Sequence, residues 1–196
     1  MPGQGAKKMP SQPGKFALVV GGSDTPAQPV DGLKGARLVA RILRGYKYAV
    51  TSLLDTAATP TAFYAALDAI RLQMTPQSKL VIYYCGHGTG GSNQVCVYTE
   101  LASALDTIPG VIAVTNDCCY SGAILVAAGP NRIVISSTTA DHAEIAYPHQ
   151  LTNFTDWFWN HAVSGGDAFE DALAYVNDLG LDSRMADQTP GGVFLP

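Results

Sequence analysis

Two short stretches carry residues able to do covalent chemistry. Lys79 to Gly88, KLVIYYCGHG, is an apolar run that ends in His87 between two glycines. Thr115 to Ala123, TNDCCYSGA, follows another apolar run and sets Asp117, Cys118 and Cys119 in a row. A thiol and an imidazole that share a crevice are the parts of a nucleophilic cysteine site: sulfur attacks a carbonyl carbon and the imidazole moves the proton. Gly86 and Gly88 let the backbone turn and approach a substrate closely. The N–H of Gly88 is a candidate donor to a developing oxyanion. The stretch after the cysteines, SGAILVAAG, reads as a short helix, and a helix N-terminus favours a thiolate. Side chains alternate in direction at a strand end, so Cys118 and Cys119 point to opposite sides and only one can face His87. Spacing alone does not choose between them.

The elements that must position these residues are legible in the apolar pattern. KFALVV from Lys15, YAVTSLL, KLVIYYC, VIAVTN and RIVISST are short runs suited to strands buried on both faces. Between them, GLKGARLVARILRG places Leu33, Ala36, Val39, Ala40 and Leu43 on one helical face. Thr59-Pro60 reads as an N-cap followed by an N1 proline, opening a helix through Phe63, Leu67 and Ile70. ELASALDTI, LTNFTDWFWNHAV and DAFEDALAYVNDL read as further helices, QVCVY as part of a small hairpin, and DQTPGGVFLP as carrying a last edge strand. Strands that alternate with helices imply an α/β fold: a single three-layer α/β/α domain with a mostly parallel central sheet. Residues 1–14, rich in Gly, Pro and Gln, read as a disordered tail ahead of a domain over 15–196. In such sheets ligands bind outside the carboxyl ends of the strands, which is where His87 and the two cysteines fall.

Composition narrows the classes further. A net charge of −4 over 196 residues, with 47% hydrophobic content, describes a globular chain and argues against a general nucleic-acid binder. No apolar run approaches the ~18 residues of a membrane helix, and the N-terminus has no signal-like apolar region. Four cysteines, Cys85, Cys96, Cys118 and Cys119, are too few for a disulfide scaffold at this length. They read as reduced thiols, and so as a cytoplasmic location. Cys85, His87, Cys96 and Cys118 have zinc-ligand atoms, but the chain lacks a Cys-x2-Cys pair. Gly21-Gly22 lacks the G-x-G-x-x-G of a phosphate loop.

YYCGHG followed by NDCCYSG resembles the caspase-like (clan CD) cysteine peptidases: caspases, metacaspases, legumains and their prokaryotic relatives. Their signature is an apolar strand ending in His-Gly, then an apolar strand ending in acid-x-Cys-x-Ser-Gly. The resemblance covers about Lys15 to Leu181. It implies the caspase-like fold, Cys119 as nucleophile, His87 as its proton-transfer partner and the Gly88 N–H as an oxyanion donor, with Cys118 a structural neighbour. The Q-A-C-x-G motif of true caspases is absent. SSTTADHAEIAY and TDWFW are similar to the legumain branch, and DQTP is similar to metacaspase-like chains.

On the legumain pattern, Asp117 and Asp156 would line the pocket for the P1 side chain, the residue before the scissile bond. Asp31 would orient His87 through an Nδ1 hydrogen bond. The position of the legumain P1-binding arginine reads Leu33, with Lys34 beside it. An acid-lined pocket selects Arg or Lys at P1, and an inward Lys34 restores Asn. Ser136 and Glu144 are further candidate substrate contacts, and Asp141–Gln150 is a candidate loop for self-cleavage or gating. The implied activity is a cysteine endopeptidase acting on peptides or proteins, with no cofactor needed; calcium, which some metacaspase-like relatives use, stays open. A peptide ligase sharing the acyl-enzyme, or an inactive peptide-binding relative, are the alternative functions. Asp117 as a turn cap, Asp156 as a helix-dipole partner, Asp31 in an ordinary Asp-Gly turn and either cysteine as a buried core thiol are the plain structural alternatives.

Overall fold

The computed structural model describes residues 14–22, 32–143 and 151–187. Among the described residues six strands form one sheet: β1 (Lys15–Gly21), β2 (Ala49–Leu54), β3 (Lys79–Cys85), β4 (Val111–Asp117), β5 (Arg132–Ser136) and β6 (Arg184–Asp187). Their order is β2-β1-β3-β4-β5-β6; the first five run parallel and β6 pairs antiparallel to β5. Among the same residues four α-helices flank the sheet: α1 (Gly32–Gly45), α2 (Pro60–Arg71), α3 (Tyr98–Leu105) and α4 (Phe169–Asp178). A 3-10 helix spans Ser121–Ala127 and a π-helix spans Thr155–Val163.

The near-continuous apolar strands do bury both faces, and the alternation of their side chains splits the core in two. Ala17, Val19, Val81, Tyr83 and Cys85 pack on one face against α1, the π-helix and α4. Leu18, Val20, Leu80, Ile82 and Tyr84 pack on the other against α2, α3 and the 3-10 helix. The result is the three-layer α/β/α domain that the alternation of elements implies. On the first face Trp159 meets Tyr83 and Phe169 edge to face, with ring centroids 5.9 and 5.3 Å away. Thr59 caps α2 by accepting from the Ala62 N–H at 3.2 Å, with Pro60 in the first turn.

Four expectations change in detail. SGAILVAAG forms a seven-residue 3-10 helix, entered through Tyr120 in the left-handed region at φ 56°. So short a 3-10 turn aligns few peptide dipoles, and it lends the cysteines little of the N-terminal field a regular helix would supply. The aromatic stretch Thr155–Val163 is helical as expected but winds as a π-helix. The loop after β3 has only two isolated antiparallel bridges, Gly88 to Asn93 and Ser92 to Val97, rather than a hairpin. The edge strand is Arg184–Asp187, and of DQTPGGVFLP only Asp187 lies within the described residues. No helix among the described residues is long and apolar enough to cross a membrane.

Candidate functional site

Strands β3 and β4 are adjacent and parallel, and Cys85 pairs with Asp117 at their carboxyl ends. His87 stands two residues beyond Cys85, and Cys119 two residues beyond Asp117. Both line one open pocket of about 550 Å³, together with Gly88, Asn93, Gln94 and Tyr120. His87, Gly88 and Cys119 are each half-buried, so all three are in reach of a ligand.

The two cysteines have separate environments. Cys118 is 2% exposed and packs into the core with α3. Its Sγ lies 3.6 Å from the Tyr98 hydroxyl and accepts from Asn116 Nδ2 at 3.3 Å. Burial pushes its thiol far above the usual range, so it stays protonated at any ordinary pH. Cys119 is the thiol that opens onto the pocket. Just after them the backbone is pinned: the Tyr120 N–H donates to the His142 carbonyl at 2.8 Å.

The histidine side is held by groups the sequence reading did not single out. The Tyr84 hydroxyl donates to the His87 carbonyl at 2.7 Å and lies 3.0 Å from Gln94 Oε1. Asn93 Oδ1 accepts from the Val95 and Cys96 N–H groups, each at 3.0 Å, and shapes the pocket wall. Asn93 Nδ2 donates to Asn116 Oδ1 at 3.2 Å, and Asn116 Nδ2 donates to the Tyr98 hydroxyl at 3.0 Å. A polar chain therefore runs from the loop of His87 to the strand of Cys119. Its one sequence signal was Asn116, an amide at the end of an otherwise apolar strand.

Glycine is required at Gly88 by space. A Cβ there would stand 2.3 Å from Cys118 Sγ and 2.6 Å from the Cys119 carbonyl oxygen. The His-Gly turn thus rests directly on the Cys-Cys backbone. Gly122 is similar, since a Cβ there would meet the Ala140 nitrogen at 2.5 Å.

The other expected site residues lie apart from this pocket or outside the described residues. Asp117 is fully buried on the opposite face of the sheet from Cys118. Its Oδ2 accepts from the Thr152 and Thr155 hydroxyls, and it is not a wall of the His87–Cys119 pocket. Burial pushes its pKa up to about 6, against the opposing pull of those two hydroxyls. Asp156 is part-buried on the π-helix, where its Oδ1 accepts from Asn160 Nδ2 at 2.9 Å and lies 3.8 Å from His161 Nε2. Ser136 is buried, donating to the Thr138 carbonyl at 2.8 Å. Asp31 and Glu144, and most of the Asp141–Gln150 loop, lie outside the described residues. Leu33 is half-buried and Lys34 exposed on α1. Cys85 belongs to one face of the sheet and Cys96 and Cys118 to the other, so they do not converge on a metal. Among the described residues no group of three or more His, Cys, Asp or Glu is placed to hold one.

No protein-family model matches the chain, and no curated protein does. Among solved structures, the chain is similar to the crystal structure of protein GSU0716 from Geobacter sulfurreducens. The two superpose with a TM-score of 0.74 at 14% sequence identity, over 91% of this chain and 94% of that one. At that identity the likeness is one of fold. A shared fold does not fix the chemistry of a site.

Proposed function

We propose that the chain is a cysteine endopeptidase of the caspase-like class, acting through Cys119 and His87. One observation carries the reading: a half-buried thiol and an imidazole leave the ends of two adjacent parallel strands and line the same open pocket. The Cys119 thiolate attacks the scissile carbonyl, and the C–N bond breaks as His87 protonates the leaving amine. The resulting thioester is cleaved by water, His87 taking its proton. The N–H groups of Gly88 and Cys119 are the proposed donors to the tetrahedral oxyanion. No step needs a metal or cofactor.

The P1 residue proposed is Arg, Lys or Asn, read from the acids of the legumain pattern. Asp117 takes part only by exchanging a threonine hydroxyl for the substrate side chain, since both hydroxyls now hold it. All four cysteines are free thiols, which suits a reducing compartment such as the cytoplasm.

The test is cleavage of a P1-scanning peptide library by wild type, Cys119→Ala, Cys118→Ala and His87→Ala. Loss of about a thousandfold or more in kcat/KM in Cys119→Ala and His87→Ala is expected, with Cys118→Ala retaining activity in proportion to its folded fraction. Undiminished turnover in folded Cys119→Ala removes the reading. Adding a peptide amine separates hydrolysis from ligation. A chain that binds library peptides but forms no thioester is the inactive relative.

A further inference from the structure

Helix α1 carries Lys34, Arg37, Arg41 and Arg44 and no acidic residue, in a chain whose net charge is −4. The four recur at i, i+3, i+7 and i+10, which draws them into one stripe along the helix. All four are exposed. Every other arginine of the described residues has an acid: Arg71 pairs with Asp68 at 2.6 Å, Arg132 with Asp106, and Arg184 with Asp182 at 2.5 Å. Arg37, Arg41 and Arg44 have no ion-pair or hydrogen-bond partner among the described residues.

The stripe borders a groove. A cavity of about 380 Å³ is lined by Lys34, Arg37, Leu38, Arg41 and Asn160. A second, of about 460 Å³, shares Leu38, Arg41 and Asn160 and continues to Tyr46. Together they run between α1 and the π-helix. One end lies at the candidate catalytic rim: Gly32, at the start of α1, packs on the Cys85 carbonyl, two residues before His87. Leu151, at that same end, precedes the Thr152 that holds Asp117.

We propose that this groove binds an extended acidic segment of a protein substrate, one that alternates acidic with apolar residues. The inference rests on the peptidase reading for calling that partner a substrate; the groove and its charge do not. From Lys34 to Gly45 the helix rises about 17 Å, which five residues of extended chain span. Arg37 and Arg41 lie about 6 Å apart along the axis, matching the ~6.6 Å between alternate side chains of a strand. Partly buried Leu38 and Ile42 offer the intervening residues an apolar floor. A flat anionic bilayer touches the rims of such a groove and not its floor, and a phosphate backbone has nothing to place on the leucine. A short acidic peptide uses both.

The experiment measures fluorescence anisotropy of a short labelled peptide alternating Glu with Val, and of one with Lys in place of Glu, on the Cys119→Ala chain. Because that chain lacks the proposed nucleophile, failure of the peptidase reading leaves the binding result intact. The acidic peptide is expected to bind and the basic one not. Arg37→Glu/Arg41→Glu should weaken binding at least about tenfold, and the milder Arg37→Gln/Arg41→Gln should weaken it in the same direction. Circular dichroism confirms that both variants fold. Absence of binding, equal binding of the two peptides, or binding unchanged in the folded variants overturns the proposal. So does a preference for phosphatidylserine vesicles, or self-association that either double variant abolishes.

Discussion

Cys85 and Asp117 face each other as register partners at the carboxyl ends of β3 and β4. That pairing sets His87 and Cys119 at equal steps beyond neighbouring strands and opens both onto one pocket. It also sends Asp117 and Cys118 to opposite faces of the sheet, since the chain reverses side with every residue. Four sets of measurements test this arrangement.

Iodoacetamide should alkylate Cys119 well before Cys118 in the folded chain, read by peptide mass spectrometry. The pocket exposes the first thiol. Burial against Tyr98 and Asn116 keeps the second protonated and out of reach. Equal labelling of the two in chain shown to be folded contradicts the division of roles. Cys118→Ala should cost about 1–3 kcal/mol in denaturant unfolding, because it empties a packed site and strips a partner from Asn116.

Gly88→Ala should damage the site more than a single methyl suggests. The added carbon meets a backbone oxygen at 2.6 Å, which cannot rotate away as a side chain would. The His87 turn must then move off the Cys119 backbone. A loss of about 1–3 kcal/mol in stability is expected. Turnover of any cleaved peptide should fall by at least about tenfold, as a catalytic group displaced by a fraction of an ångström predicts. Wild-type stability and turnover in Gly88→Ala would show that the turn yields freely.

Asp117 should make stability fall as pH rises from about 4 to about 6. Its folded pKa is raised from 3.8 to about 6 by burial. In that window the folded chain therefore holds a proton that the unfolded chain releases. Below the window both states are protonated and the group contributes nothing. Above it the folded state carries the cost of a buried charge. Urea midpoints across this range should show the slope in wild type, and Asp117→Asn should flatten it. An unchanged slope in Asp117→Asn assigns the effect to another group.

Thr155→Val should cost about 1–3 kcal/mol, although the side chains have nearly the same shape. The Thr155 hydroxyl donates to Asp117 and lies 2.5 Å from the Tyr83 hydroxyl, and valine leaves both buried groups short of a partner. With one donor to its charged form gone, Asp117 should titrate higher, carrying the downhill slope to higher pH. A variant as stable as wild type with the same pH profile would show that Thr152 alone holds the carboxyl.

The sequence alone determined the architecture and the two ends of the site. Short apolar runs such as KLVIYYC, too short for a buried helix and bounded by turn residues, suit strands covered on both faces, and helical segments between them imply parallel crossovers. His87-Gly88 and Asp117-Cys118-Cys119 therefore fall at one rim whatever the strand order. Tertiary structure decided the rest. Which thiol meets the pocket depends on which one the α3 layer buries, and Tyr98 of that helix covers Cys118. The legumain pattern places Asp117 in the P1 pocket, but the structure takes it out of the His87–Cys119 pocket. It is buried because Thr152 and Thr155, thirty-five and thirty-eight residues away, come down on it from the π-helix layer. Arg184–Asp187 has no apolar run of its own and becomes a strand only because β5 presents a free edge to it. Local periodicity records what each segment must bury. It does not record which distant segment arrives to cover it.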